Sequence, residues 1–203
     1  MIAIIDYGVG NLYSLTCSLN HIGVEGVVTR DEAVIRGADK IILPGVGAFG
    51  DAADKLRALQ LDTLVKEQAA LGKPLLGVCL GMQLLFDKGF EYGTHEGLGL
   101  IHGHVESMAP YVGDRKVPHM GWNSLDITKP DDPLLKDIKQ GDYVYFVHSF
   151  YGADCDQALV ATAHYGIPLT AIVRSGNVVG TQFHPEKSGE TGLKILSCFA
   201  KGA

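Results

Sequence analysis

Three unbroken apolar runs most constrain what this chain can fold into: Ile2-Ala3-Ile4-Ile5, Ile41-Ile42-Leu43 and Leu75-Leu76-Gly77-Val78. They are too short for helices and lack the polar–apolar alternation of a half-wet strand. Runs of this kind suit strands covered on both faces, as parallel strands are when helices sandwich them. Helical periodicity fills the intervals, over about 11–22 and 49–71. The spacing therefore predicts parallel strands at 2–6, 24–28, 39–43 and 75–78. Beyond about residue 90, glycine-rich turns and alternating segments predict antiparallel additions near 104–107, 122–127, 143–147, 158–163, 168–174 and 177–183, then a helix over about 188–200. No linker, repeat or low-complexity stretch divides the 203 residues. The expectation is one α/β domain over 1–203, an open, mostly parallel sheet flanked by helices with antiparallel additions in its second half.

Composition narrows the function. With 17 basic and 23 acidic residues the net charge is −6, and no basic run offers a groove for a phosphate backbone, so nucleic acid is not expected. No apolar stretch reaches membrane-spanning length, and Met1–Asp6 lacks the basic start of a signal peptide. The four cysteines, Cys17, Cys79, Cys155 and Cys198, show no C-x-x-C or zinc-type spacing. A reducing, cytoplasmic setting is expected.

In open α/β sheets, reactive groups gather beyond the carboxyl ends of the parallel strands. Here that means just after residues 6, 43, 78 and 183. After 78 stands Gly77-Val78-Cys79-Leu80-Gly81, between an apolar strand and a helical pattern from Met82 to Phe86. This is the glycine-flanked elbow that turns a nucleophile sharply out of a strand, with cysteine in the nucleophile's place. A following helix favours the thiolate, and the Leu80 N–H is placed to donate to an oxyanion. The competing reading is a cysteine that only packs. After 183 stands His184-Pro185-Glu186. An imidazole supplies the base that a thiol needs, and in extended chain Glu186 shares a side with His184 and can orient its ring. Alone, that tripeptide would read as a strand-end histidine beside a surface acid; with the elbow it reads as a Cys79–His184–Glu186 triad.

Gly77-Val78-Cys79-Leu80-Gly81-Met82-Gln83 together with His184-Pro185-Glu186 resembles the triad (class I) glutamine amidotransferases, over nearly the whole chain. The resemblance implies that Cys79 attacks the glutamine side-chain amide, that a glutamyl thioester forms, and that ammonia passes to a synthase partner. It implies that Gly45, Val46 and Gly47 belong to an oxyanion strand, where the bare sequence allows an ordinary tight turn. It gives Gln83 a part in holding glutamine, and the backbone of His148-Ser149-Phe150 a part in receiving its α-carboxylate. The family often carries tyrosine where Phe150 stands, which leaves a side-chain role there in doubt.

Asp6-Tyr7-Gly8-Val9-Gly10-Asn11, Pro118-His119-Met120-Gly121-Trp122-Asn123 and Lys187-Ser188 are similar to one branch of that family, whose glutaminase subunit pairs with a (β/α)8-barrel cyclase as a heterodimer. That likeness implies a docking face at or near Asn11, Pro118, Met120, Trp122 and Lys187. Trp122 reads equally well as a core residue. The opening is not a dinucleotide fingerprint, because G-x-G-x-x-G would need glycine where Tyr13 stands. His102-Gly103-His104 lacks a third ligand at sensible spacing, so no metal and no cofactor are expected. The alternatives are a glutaminase of another amidotransferase, a cysteine-elbow hydrolase of the peptidase or chaperone-like group, and a pseudo-enzyme that only binds a partner.

Overall fold

A computed structural model describes residues 1–202. The first half runs β1 (Ile2–Ile5), α1 (Leu12–His21), β2 (Gly26–Thr29), α2 (Glu32–Gly37), β3 (Lys40–Leu43), α3 (Phe49–Ala58), α4 (Leu61–Ala70), β4 (Leu75–Val78) and α5 (Leu80–Leu84). The second half adds β5 (Phe86–Gly89), β6 (His95–Glu96), β7 (Ile101–Ser107), β8 (His119–Ser124), β9 (Asp126–Ile127), β10 (Tyr143–His148), β11 (Phe150–Ala153), β12 (Leu159–Tyr165), β13 (Ile167–Ser175), β14 (Val178–Thr181) and α6 (Gly189–Lys201).

The spine is an eight-stranded sheet in the order β2-β1-β3-β4-β14-β13-β12-β9. The first five of these run parallel, and β13, β12 and β9 continue antiparallel. The unbroken apolar runs do what their texture requires. Ala3, Ile5, Ile41, Leu43 and Leu75 face one core with Phe49, Leu56, Leu61 and Val65 of α3 and α4. Ile2, Ile4, Ile42, Leu76 and Val78 face the other, with Leu15 and Leu19 of α1 and Ile195 and Leu196 of α6. Successive strand residues alternate between the two cores, so neither face is left for water.

The structure corrects several expected elements. The helical stretch 49–71 is two helices, broken at Gln60, whose φ of 57° is left-handed. The buried positions of α3 are 49, 50, 52, 53 and 56, and those of α4 are 61, 64, 65, 68 and 69. The five-residue step from 56 to 61 breaks the helical period, and only a kink returns Leu61 to the sheet. The short α2 is additional; Asp31 caps it by accepting from the amides of Ala33 and Val34 at 2.8 and 3.1 Å. The helical pattern 82–86 ends early, because Phe86 opens β5 and buries its ring against Gly152 of β11. Residues 122–127 are not one strand: β8 pairs with β10 in a two-stranded sheet, buried Leu125 turns the corner, and β9 joins the large sheet. The third sheet, β11-β7-β5-β6, contains one parallel pair, β5 with β7, amid antiparallel neighbours.

One contact fixes the end of β3 against the start of α5. A side chain on Gly81 would overlap the Leu43 carbonyl. Backbone cannot yield as a flexible side chain can, so Gly81→Ala is expected to lower stability by about 1–3 kcal/mol, read as a shifted urea midpoint at unchanged slope.

Candidate active site

Cys79 follows β4 with φ 56° and ψ −112°, a conformation that L-residues rarely hold and that surrounding structure must enforce. Its amide donates to the Thr181 carbonyl of β14 at 2.7 Å, pinning the elbow to the neighbouring strand. A Cβ on Gly77 would stand 2.7 Å from the Gly81 carbonyl oxygen, so the turn closes on itself and admits only glycine there. The helix that follows has five residues, too few for a full dipole. Sγ lies 4.0 Å from the Val147 carbonyl and 3.8 Å from Gln182 Nε2.

His184 shares a cavity of about 390 Å³ with Cys79. Its Nδ1 meets Glu186 Oε1 at 2.8 Å, and both side chains are almost wholly buried. The route to that contact differs from the extended i, i+2 geometry expected from the sequence. His184 is extended, but residues 185–187 form a 3-10 turn that swings Glu186 back under the ring. The Ser188 hydroxyl donates to the His184 carbonyl at 2.6 Å, and the His184 amide donates to the Tyr145 carbonyl at 3.0 Å. Burial opposes protonation of His184, but attraction to the Cys79 sulfur and the Glu186 carboxylate outweighs it and raises the imidazole to about 10.

The same cavity is lined by Val46, Gly47, Leu80, Gln83, His148, Ser149 and Phe150. Gly47 has φ +98°, and Gly45 packs beneath, where a Cβ would stand 2.7 Å from the Gly81 nitrogen and 2.8 Å from the Tyr7 hydroxyl. Both glycines of that loop are thus obligatory, the first for space and the second for conformation. Gln83 is turned inward: its Nε2 donates to the Phe150 carbonyl at 2.9 Å and to Gln182 Oε1 at 3.0 Å. His148 is also committed within the protein, with Nδ1 at 2.9 Å from the Phe150 carbonyl.

The expected docking residues divide. Pro118 and Lys187 line the cavity itself, whereas Met120 and Trp122 are 61% and 55% exposed outside it. Trp122 is therefore no core residue. Asn11 reaches Glu186, its Nδ2 lying 3.4 Å from Oε1. His102 and His104 bind different acids, Asp87 and Asp154, at 2.9 and 3.3 Å. Sequence reasoning passes over Gln182, Glu91 and Tyr7. Gln182 is fully buried beside the sulfur, and Glu91 lines the cavity while accepting from the Phe49 amide at 2.8 Å. Tyr7 donates to the Pro44 carbonyl at 2.7 Å. The only local signal for Gln182 is its place one residue before Phe183-His184 in a buried strand end.

Residues 3–201 match the glutamine amidotransferase class-I family. The chain belongs to that family. The amidotransferase is 50% identical over 197 residues to the imidazole glycerol phosphate synthase subunit HisH of Oceanobacillus iheyensis, covering 97% of this chain and 96% of the relative. It is also 50% identical over 203 residues to the subunit of the same name from Caldanaerobacter subterraneus subsp. tengcongensis, covering 99% and 98%. Among solved structures, PurLQS from Thermotoga maritima superposes with a TM-score of 0.77 at 22% identity, over 98% of this chain and 97% of that one. A crystal structure of a glutamine amidotransferase gives 0.75 at 18% identity, over 98% and 99%. At those identities the two structures speak for the amidotransferase fold alone. Among the described residues, no helix is long and apolar enough to cross a membrane.

Proposed function

We propose that this chain is the glutaminase subunit of an imidazole glycerol phosphate synthase, acting in histidine biosynthesis through Cys79, His184 and Glu186. The observation that carries the reading is the convergence of a strained, cavity-facing sulfur with an imidazole held 2.8 Å from a buried carboxylate.

The Cys79 thiolate, its proton held on His184, attacks the side-chain amide carbon of glutamine. Charge on the amide oxygen is taken by the Leu80 amide and by amides of the Gly45-Val46-Gly47 loop. His184 gives its proton to the departing nitrogen, which leaves as ammonia, and a thioester remains. Water then attacks the thioester, passing a proton to His184, and glutamate leaves as the sulfur regains its negative charge. Glu186 holds the imidazole's Nδ1–H and stabilises the imidazolium in both steps. Gln83 and the backbone of 148–150 seat the substrate. A thiol nucleophile fits a reducing cytoplasm, and all four cysteines are free.

Ammonia goes to a (β/α)8-barrel cyclase bound as a heterodimer, a lyase active site in which it contributes to imidazole glycerol phosphate. Asn11, Pro118, Met120, Trp122 and Lys187 form the docking face. Its support is exposure of Met120 and Trp122 next to a cavity whose rim includes Pro118 and Lys187. Since one oxyanion donor is worth roughly 10²–10³ in rate, docking that aligns the 45–47 loop should raise glutamine hydrolysis by that order over the isolated chain. Ammonia release measured with and without a copurified cyclase and its ligand tests this, and equal rates would refute gating by the partner. Labelling of Cys79 by a glutamine-analogue electrophile, slowed by glutamine, separates this reading from a cysteine-elbow peptidase.

A further inference from the structure

Two buried histidines that the chemistry above leaves idle form an oriented chain. His119 Nδ1 lies 3.0 Å from His148 Nε2. The outer end of the chain is Asn123, whose Nδ2 lies 3.2 Å from His119 Nε2. Two backbone groups decide which way this amide points. Nδ2 donates to the His164 carbonyl at 3.0 Å, and Oδ1 accepts from the Ser124 amide at 2.8 Å. A flipped amide would set oxygen against oxygen and N–H against N–H. So Asn123 offers His119 an N–H, and His119 Nε2 is bare. Its proton is then on Nδ1, donated to His148 Nε2, which leaves the His148 proton on Nδ1. There the Phe150 carbonyl accepts at 2.9 Å, as a carbonyl must. Both ends of the chain, fixed independently by backbone, demand the same direction.

We propose that Asn123, His119 and His148 are positioning residues, a neutral one-way relay that holds the Phe150 carbonyl and, through it, the Gln83 amide as the seat for glutamine. That role rests on the glutaminase reading; the direction of the relay does not. Gln83 donates to the same Phe150 oxygen at 2.9 Å, so this carbonyl joins relay and site. Burial lowers His119 to about 4 and His148 to about 3, which keeps both rings neutral at working pH. His119 is clamped besides, stacked at 4.7 Å on Phe146 and 4.2 Å on Tyr165. Residues 119 and 123 share the inner face of β8, whose outer face carries exposed Met120 and Trp122. Movement of that strand is thus transmitted to the substrate seat through side-chain bonds.

Long-range ¹H–¹⁵N spectra of the labelled chain test the relay directly. Both rings should carry their proton on Nδ1 near neutral pH; an Nε2–H form at either would overturn the proposal. Kinetics of the chain with its copurified partner test the role. Asn123→Asp offers His119 an acceptor where the relay needs a donor, and should raise the KM for glutamine about tenfold with kcat within about twofold. Asn123→Ala only loosens the end and should raise KM about threefold. Mere space-filling predicts the opposite order, since aspartate matches asparagine in shape, and damaged folding would lower kcat instead. Either result, or an unchanged KM in Asn123→Asp, would overturn the role. If the native complex releases no ammonia from glutamine, the glutaminase reading falls, and the ring tautomers alone decide the relay.

Discussion

Cys79→Ala is expected to lower ammonia release from glutamine by on the order of 10⁶, the loss seen when a nucleophile is removed from a working triad. The fold should be untouched. Alanine keeps the Cβ that already tolerates φ 56°, and the sulfur's polar contacts are long ones, 3.8 Å to Gln182 Nε2 and 4.0 Å to the Val147 carbonyl. Partner binding should survive as well, because residue 79 faces the cavity and not the Met120–Trp122 surface. Thermal unfolding and copurification of the variant, alongside an ammonia assay, separate these outcomes. Normal turnover would remove Cys79 from the mechanism.

Glu186→Gln should cost roughly 10⁴ in the same assay, as the acid-to-amide change does in a serine triad. It also predicts a change with pH. His184 is raised from 6.5 to about 10, so its contribution to stability is complete below 6.5 and is lost as pH climbs toward 10. Native protein should therefore weaken over that window, and Glu186→Gln should flatten the slope because one of the two groups favouring the imidazolium is gone. Urea unfolding of both proteins across the window measures it; parallel curves would deny Glu186 its hold on the ring. The second carboxylate oxygen, Oε2, is buried without a hydrogen-bond partner among the described residues, so a glutamine amide N–H placed there would be left unsatisfied.

The parallel half of the fold is legible because burial on both faces leaves a mark no other element leaves, an unbroken run such as Ile2–Ile5. The break between α3 and α4 is also written in the sequence, as the step from Leu56 to Leu61, but a window spanning both helices averages it away. β5 is hidden because Phe86 continues an apolar series begun by Met82, and only contact with β11 decides where it belongs. The proposed triad is legible because Cys79 follows β4 and His184-Pro185-Glu186 follows β14. Gln182 is not, since its contact with Cys79 spans 103 positions and no local pattern encodes it. The interior commitments of Gln83 and His148 are likewise tertiary facts.

The crowding of Gly81 on the Leu43 carbonyl, with the Tyr7 hydroxyl grasping the Pro44 carbonyl, sets the scale of any gating. Leu43 ends β3, and Pro44 is held by the Tyr7 hydroxyl. With Leu43 and Pro44 held, a signal from the proposed docking face would act by turning the peptide units between Gly45 and Gly47, like a crankshaft between two bearings, and not by sliding the segment as a lid. On the proposed reading, such a rotation would reorient an amide without displacing the chain, and an oxyanion donor could be switched on and off while the outline stays the same.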